Sequence, residues 1–207
     1  MKFLNYIWDF GGTLFNIYPA YSKSVINILE KNGIEENFES IYKNSKISKK
    51  ALLDYLNEKY QIDKSTEKNI KKAESFVPFE ERQPFEFTEM ILKYVVKNKG
   101  KNFIFTHRSY KSASTLLDHY HLSGYFYDIV TKDDLFERKP HPEGINHLIN
   151  KHNLIEEQTI TIGDRKIDII AGKNANISTI YFNPCGKKFE IADYNIKNFK
   201  EILEIIK

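Results

Sequence analysis

Four groups of chemically capable side chains are spread along the 207 residues. Tyr6-Ile7-Trp8 runs into Asp9 and then Gly11-Gly12, and Asn102-Phe-Ile-Phe-Thr106 runs into His107 and Arg108. Glu137-Arg-Lys139-Pro-His-Pro142 sets a lysine before a proline-initiated helix, and Thr159-Ile-Thr-Ile-Gly163 leads to Asp164 and Asp168, four positions apart. Each group alone has an ordinary reading: an Asp-Gly turn, a threonine N-cap, a surface lysine, an acidic first helical turn. Their order carries more: a carboxylate, a hydroxyl, a lysine and a carboxylate pair.

That set matches the needs of phosphoryl transfer through a carboxylate. An aspartate attacks phosphorus and splits one difficult step into two. The accumulated negative charge calls for a divalent cation, and Mg²⁺ takes carboxylate, carbonyl and water ligands. A hydroxyl and an ammonium steady the phosphoryl oxygens. Asp9 then stands as nucleophile, Thr106 and Lys139 as catalytic groups that also bind substrate, and Asp164 with Asp168 as metal ligands. Backbone amides exposed at the glycines make Gly12 a binding candidate, and His107 and Arg108 stand within reach of a phosphate.

Such residues need elements that bring them to one edge. Asp9, Thr106 and Asp164 each follow an apolar or β-branched run that reads as a strand, and carboxyl ends of strands are where open α/β sheets place ligands. From residue 85 onward, helices at 87–99, 111–120, 142–152 and 167–174 alternate with strands at 102–106, 128–131, 159–163 and 178–182, and a terminal helix covers 200–206. This alternation predicts an α/β fold, a parallel sheet covered on both faces. Residues 17–83 differ: a helix led by Pro19 ends at Asn32-Gly33, and amphipathic patches such as Leu52, Tyr55, Leu56 and Tyr60 follow without a strand. The expectation is a core of residues 1–16 and 84–207 with an all-helical insert at 17–83. Pro78 to Pro84 reads as the hinge. Tyr18, Tyr21 and Arg82 lie near the crossings, where they would pack a seam or contact substrate.

Composition narrows the class. With 41% hydrophobic and 14% aromatic residues the chain can bury a core, which argues against disorder. Its 31 basic and 28 acidic residues are scattered, giving a net charge of +3 and little reason to expect a nucleic-acid partner. The single Cys185 excludes an internal disulfide or a paired-thiol metal site. No charged leader precedes an apolar segment and no run approaches membrane-spanning length, so a cytoplasmic protein without a membrane partner is expected, as monomer or homodimer.

The motifs Asp9-Phe-Gly-Gly-Thr13-Leu14, Phe105-Thr106, Lys139-Pro140 and Gly163-Asp164-Arg-Lys-Ile-Asp168 resemble, in order and spacing, those of the haloacid dehalogenase superfamily, particularly its phosphoglycolate-phosphatase-like branch. The resemblance implies a Rossmann-like three-layer core and a closing α-helical cap. It also implies a small phosphorylated substrate and Mg²⁺ held by Asp9, Asp164 and the carbonyl of Gly11, with Asp168 in support. One position departs. Phosphatases of the family carry an aspartate two residues after the nucleophile as general acid and base, and this chain has Gly11. Glycine transfers no proton, and general acid–base catalysis is typically worth about 10²–10⁴-fold. Either the enzyme acts on substrates with good leaving groups or borrows an acid such as His107, or the fold serves as a binding or regulatory protein. Family branches that cleave carbon–halogen or carbon–phosphorus bonds also lack that aspartate, but no lysine of the insert stands in a Schiff-base context.

Overall fold

A computed structural model describes residues 2–206, and the chain divides into two compact units, Met1–Phe15 with Pro84–Lys207, and Asn16–Gln83. Strand β1 (Asn5–Trp8) opens the chain, and helices α1 (Tyr18–Glu30), α2 (Phe38–Ile47), α3 (Lys49–Tyr60) and α4 (Lys64–Lys72) make up the second unit. The first unit resumes with α5 (Thr88–Lys97), β2 (Lys101–Phe105), α6 (Tyr110–His119), β3 (Phe126–Val130) and α7 (Glu143–His152). It ends with β4 (Thr159–Gly163), α8 (Lys166–Asn174), β5 (Ser178–Phe182), β6 (Tyr194–Ile196) and α9 (Ile202–Ile206).

Among the described residues all six strands are parallel, in the order β3-β2-β1-β4-β5-β6. The α/β class expected from the alternation is the class observed. β1 is central and buried along its whole length, as its Tyr-Ile-Trp run demands. Ile7 packs with Phe103, Phe105, Val130, Ile145 and Leu148 in one core cluster, and burying each such side chain contributes roughly 1.5–3 kcal/mol. Chain order reverses at the β1/β4 pair, where Asn5 through Trp8 register against Thr159 through Ile162. A sheet of this order takes its ligands in the crevice outside that switch point.

The helical unit has its own core: Tyr21, Val25 and Leu29 of α1, Ile41 of α2, Leu52, Leu53 and Leu56 of α3, and Ile70 of α4. Helices α2, α3 and α4 start on side-chain caps, since Asn37, Ser48 and Asp63 accept from the backbone N–H of Ser40, Ala51 and Thr66 at 2.7–2.9 Å.

Three local differences from the sequence reading have simple causes. Strand β6 was not foreseen, because Tyr194-Asn-Ile196 is too short and polar to stand out, yet it pairs along β5. Helix α5 starts at Thr88 because Phe87 has φ of +68°, which no helix accommodates. The terminal helix is shorter, with a 3₁₀ turn at Phe199–Glu201 preceding α9.

Candidate active site

Asp9 is the residue after β1, with its N–H bonded to the Ile162 carbonyl at 2.8 Å, so it leaves the sheet at the switch point. It is 3% exposed. The turn that follows reverses at Gly12, whose φ of +94° only glycine holds without strain. The Gly12 N–H donates to the Phe15 carbonyl at 2.8 Å. That amide is therefore engaged inside the turn.

Lys139 is no surface lysine. It is 7% exposed, and its Nζ lies 2.7 Å from Asp9 Oδ1 and 2.8 Å from Asp168 Oδ1. Its backbone N–H donates to His107 Nε2 at 2.9 Å, which ties the residue after Thr106 to the loop that carries the lysine. Burial, with the charges of Lys139, Arg165 and Arg138, pushes the His107 imidazole down to about 3. His107 is thus a neutral acceptor that steadies the lysine loop, a poor source of a proton. Arg108 stacks 5.2 Å above the Phe10 ring and donates from Nη1 to Ser112 Oγ at 2.7 Å. Thr106 is buried at the end of β2 and does not cap α6. Ser109 does so, accepting from Ser112 N–H, whereas Thr106 Oγ1 accepts from Arg108 N–H at 3.2 Å.

The β4 end supplies Asp164 and the first turn of α8 supplies Asp168. Thr13 Oγ1 donates to Asp164 Oδ1 at 3.1 Å, and Asp168 Oδ2 accepts the Arg165 N–H at 3.0 Å. Gly163 makes this approach possible, since a Cβ there would lie 2.2 Å from Asp168 Cβ. Asp9, Asp164 and Asp168 each offer a carboxylate oxygen, all within 4.8 Å of one another. Three buried hard-oxygen donors so close fit a small divalent cation such as Mg²⁺.

The buried charges lean on one another. Burial and the neighbouring Asp168 raise the Asp9 carboxyl against the pull of Lys139 and Arg165. Burial alone would raise Asp168 too, but Lys139 and Arg165 outweigh it and hold that carboxyl down. Burial opposes the Lys139 charge, yet Asp168 and Asp9 keep its pKa above the ordinary lysine value.

Two contributors had no role in the sequence reading. Thr13 and Arg165 stand inside the quoted motifs, beside Asp9 and Asp164, but spacing alone does not say where a threonine or arginine will point. Arg165 Nη2 is 3.9 Å from Asp9 Oδ1 and its Nε 3.8 Å from Asp168 Oδ2. Tyr18, Tyr21 and Arg82 engage neighbours within the helical unit: Tyr18 packs edge-on against Tyr42, Tyr21 OH donates to the Ile70 carbonyl at 3.3 Å, and Arg82 lies 4.8 Å over Phe79.

A parallel sheet with carboxylates and a buried lysine gathered at its switch point defines a Rossmann-like α/β protein with an acidic, lysine-bridged site. The family model for haloacid dehalogenase-like hydrolases matches residues 6–182, and the chain belongs to that family. It is similar to a phosphoglycolate phosphatase of Vibrio parahaemolyticus serotype O3:K6, 28% identical over 106 residues, or 49% of this chain and 46% of that protein. It is also similar to the pyrophosphatase PpaX of Oceanobacillus iheyensis, 33% identical over 91 residues, or 41% and 42% of the two chains. These matches span less than half the length of either relative. A solved hydrolase from Streptococcus pneumoniae TIGR4 is 27% identical with a TM-score of 0.73, covering 99% of this chain and 100% of that one. Among the described residues no helix is long and apolar enough to cross a membrane.

Proposed function

We propose that the protein is a Mg²⁺-dependent phosphatase-type hydrolase of small phosphorylated metabolites, working through an aspartyl-phosphate on Asp9. The observation that carries this is the buried Lys139 ammonium bridging Asp9 and Asp168 at 2.7 and 2.8 Å. A lysine so placed holds the Asp9 carboxylate in one orientation and brings positive charge to the phosphoryl oxygens as they arrive. Thr106 adds a hydroxyl from the neighbouring strand end. Asp9 and Asp164, with the Gly11 carbonyl, would hold the metal, which supplies charge neutralisation for the approach of carboxylate and phosphate. Asp168, already engaged by Lys139 and the Arg165 N–H, acts by orienting the lysine.

In the first half-reaction Asp9 forms a bond to phosphorus and the leaving oxygen departs with the bonding pair. Water then attacks phosphorus, the bond to Asp9 breaks, and the carboxylate is regenerated. With Gly11 in place of a carboxylate, no side chain at that position protonates the leaving oxygen, which favours acyl, aryl and anhydride phosphates over alkyl phosphates. The similarity to a phosphoglycolate phosphatase and a pyrophosphatase supports a phosphorylated substrate. A soluble, cytoplasmic setting accords with this reading.

Asp9→Asn should abolish Mg²⁺-dependent phosphate release across a panel of phosphoesters, and full activity in that variant would sink the mechanism. Gly11 supports a second reading, a phosphate-binding module without turnover. In that case phosphate with Mg²⁺ would raise the thermal unfolding midpoint while no phosphoester yielded product.

A further inference from the structure

We infer that His107 is a positioning residue for the reaction, one that sets where the Lys139 ammonium arrives by holding the lysine's own backbone. This rests on the phosphatase reading. Lys139 sits in the loop between β3 and α7, and its ammonium has to meet Asp9 Oδ1 at 2.7 Å and Asp168 Oδ1 at 2.8 Å together. Bonds this short leave little slack, so a shift of the loop at Lys139 is carried along the side chain and opens one of them. The Lys139 N–H donates to His107 Nε2 at 2.9 Å. Other contacts hold the same loop at exposed positions, where water competes: the Glu137 N–H donates to Glu143 Oε2 at 2.7 Å, and Asn174 Nδ2 donates to the Pro140 carbonyl at 3.0 Å. The His107 bond is the more sheltered one, and it falls on the residue that carries the charge.

The direction of that bond defines the state of the ring. A backbone N–H donates only to an unprotonated ring nitrogen, so Nε2 is bare and the proton of the neutral imidazole lies on Nδ1. A doubly protonated ring would set a donor against a donor and release the loop. The surroundings guard against this: burial and the charges of Lys139, Arg165 and Arg138 outweigh Asp168 and bring the imidazole down to about 3. The same strand end supports the other end of the lysine. Phe105, edge-on to the His107 ring with centroids 6.2 Å apart, has its ring centre 4.7 Å from the Lys139 ammonium. The end of β2 thus meets the lysine at its backbone through His107 and at its ammonium through Phe105. His107 acts through Lys139, which orients the Asp9 nucleophile, so its loss is felt in the chemical step more than in substrate capture.

The test compares wild type with His107→Gln, whose amide oxygen can take the place of Nε2, and His107→Leu, which fills similar space without an acceptor. kcat and KM are measured on p-nitrophenyl phosphate and acetyl phosphate with Mg²⁺, and amide exchange at Lys139 is followed by NMR. His107→Leu should lower kcat about 10–10²-fold with KM within about threefold, and it should speed exchange at Lys139. His107→Gln should bring kcat back to within about fivefold of wild type and restore protection. Equal losses in the two variants, full kcat in His107→Leu, or a loss carried by KM overturns the inference. Wild type alone supplies a check that no misfolded variant can spoil. Long-range nitrogen–proton NMR correlations should show His107 neutral down to about pH 5 with its proton on Nδ1. A proton on Nε2, or a ring that charges above that pH, overturns the inference as well. Wild type that turns over neither substrate overturns the phosphatase reading, while the tautomer and the amide exchange are read without turnover, so the two failures are separate.

Discussion

At residue 11 the backbone does not require glycine. Among the described residues of that turn, positive φ falls on Gly12 and not on Gly11, so a side chain at 11 meets no left-handed strain. Gly11→Asp should therefore fold, and it should raise alkyl phosphate turnover relative to acyl phosphate by about 10²-fold or more, the typical scale of general acid–base catalysis. Initial rates on the two substrates measure the ratio, and an unchanged ratio would refute the missing-proton argument. Neighbouring residues show what a sequence can convey at this scale. The positions of Asp9, Lys139, Asp164 and Asp168 follow from motif order, and the structure gathers them. The burial of Lys139 does not follow, because it depends on two carboxylates, one on the residue after β1 and one on α8. His107 is the clearest limit: its adjacency to Thr106 suggests a phosphate contact or an acid, and only the fold brings the Lys139 N–H against its ring.

Elements fix the site through close packing that composition alone does not reveal. Helix α8 lies against β4 and β5 at Gly172, where a Cβ would come within 2.4 Å of Thr161 Cγ2 and 2.7 Å of Thr179 Cγ2. That contact sets the depth at which α8 presents Asp168. Gly172→Ala should cost about 1–3 kcal/mol, the usual penalty for overpacking. Gly124→Ala, whose added Cβ meets nothing within 4 Å, should leave stability nearly unchanged. Urea midpoints for the two variants check this, and equal midpoints would contradict the packing account. The strands that carry the site were legible because each ends an apolar or β-branched run on a chemically distinct residue. Strand β6 lacks both signals and is held by its register on β5.

At the level of the whole molecule, each unit carries its own buried or half-buried charge. In the helical unit the Glu36 carboxylate accepts from Lys59 Nζ at 2.8 Å, Asn37 N–H at 2.7 Å, Tyr60 OH at 3.2 Å and from Tyr55 OH. Burial works against that charge, but these partners outweigh it and bring the carboxyl down to about 2. Because the folded value is depressed, the stabilisation is complete above the ordinary glutamate range and is lost as pH falls from roughly 4.5 toward 2. Glu36→Gln should flatten the acid dependence of amide exchange in α2 and α3 between pH 5 and 3, and an unaltered dependence would argue against the role given to Glu36. The insertion of a helical unit was legible because residues 35–76 offer amphipathic patches and no strand. The particular partners of Glu36 were not, since Tyr55, Lys59 and Tyr60 reach it only once α3 lies beside the chain ahead of α2. The sheet order also has a consequence in time. Strand β1 is made before its two neighbours, which begin at Lys101 and Thr159, and a chain emerging from the ribosome must hold the Tyr-Ile-Trp run without its full pairing until both have followed. The helical unit, complete by Gln83, can pack long before then. Synthesis thus separates two folding events that the finished sheet conceals.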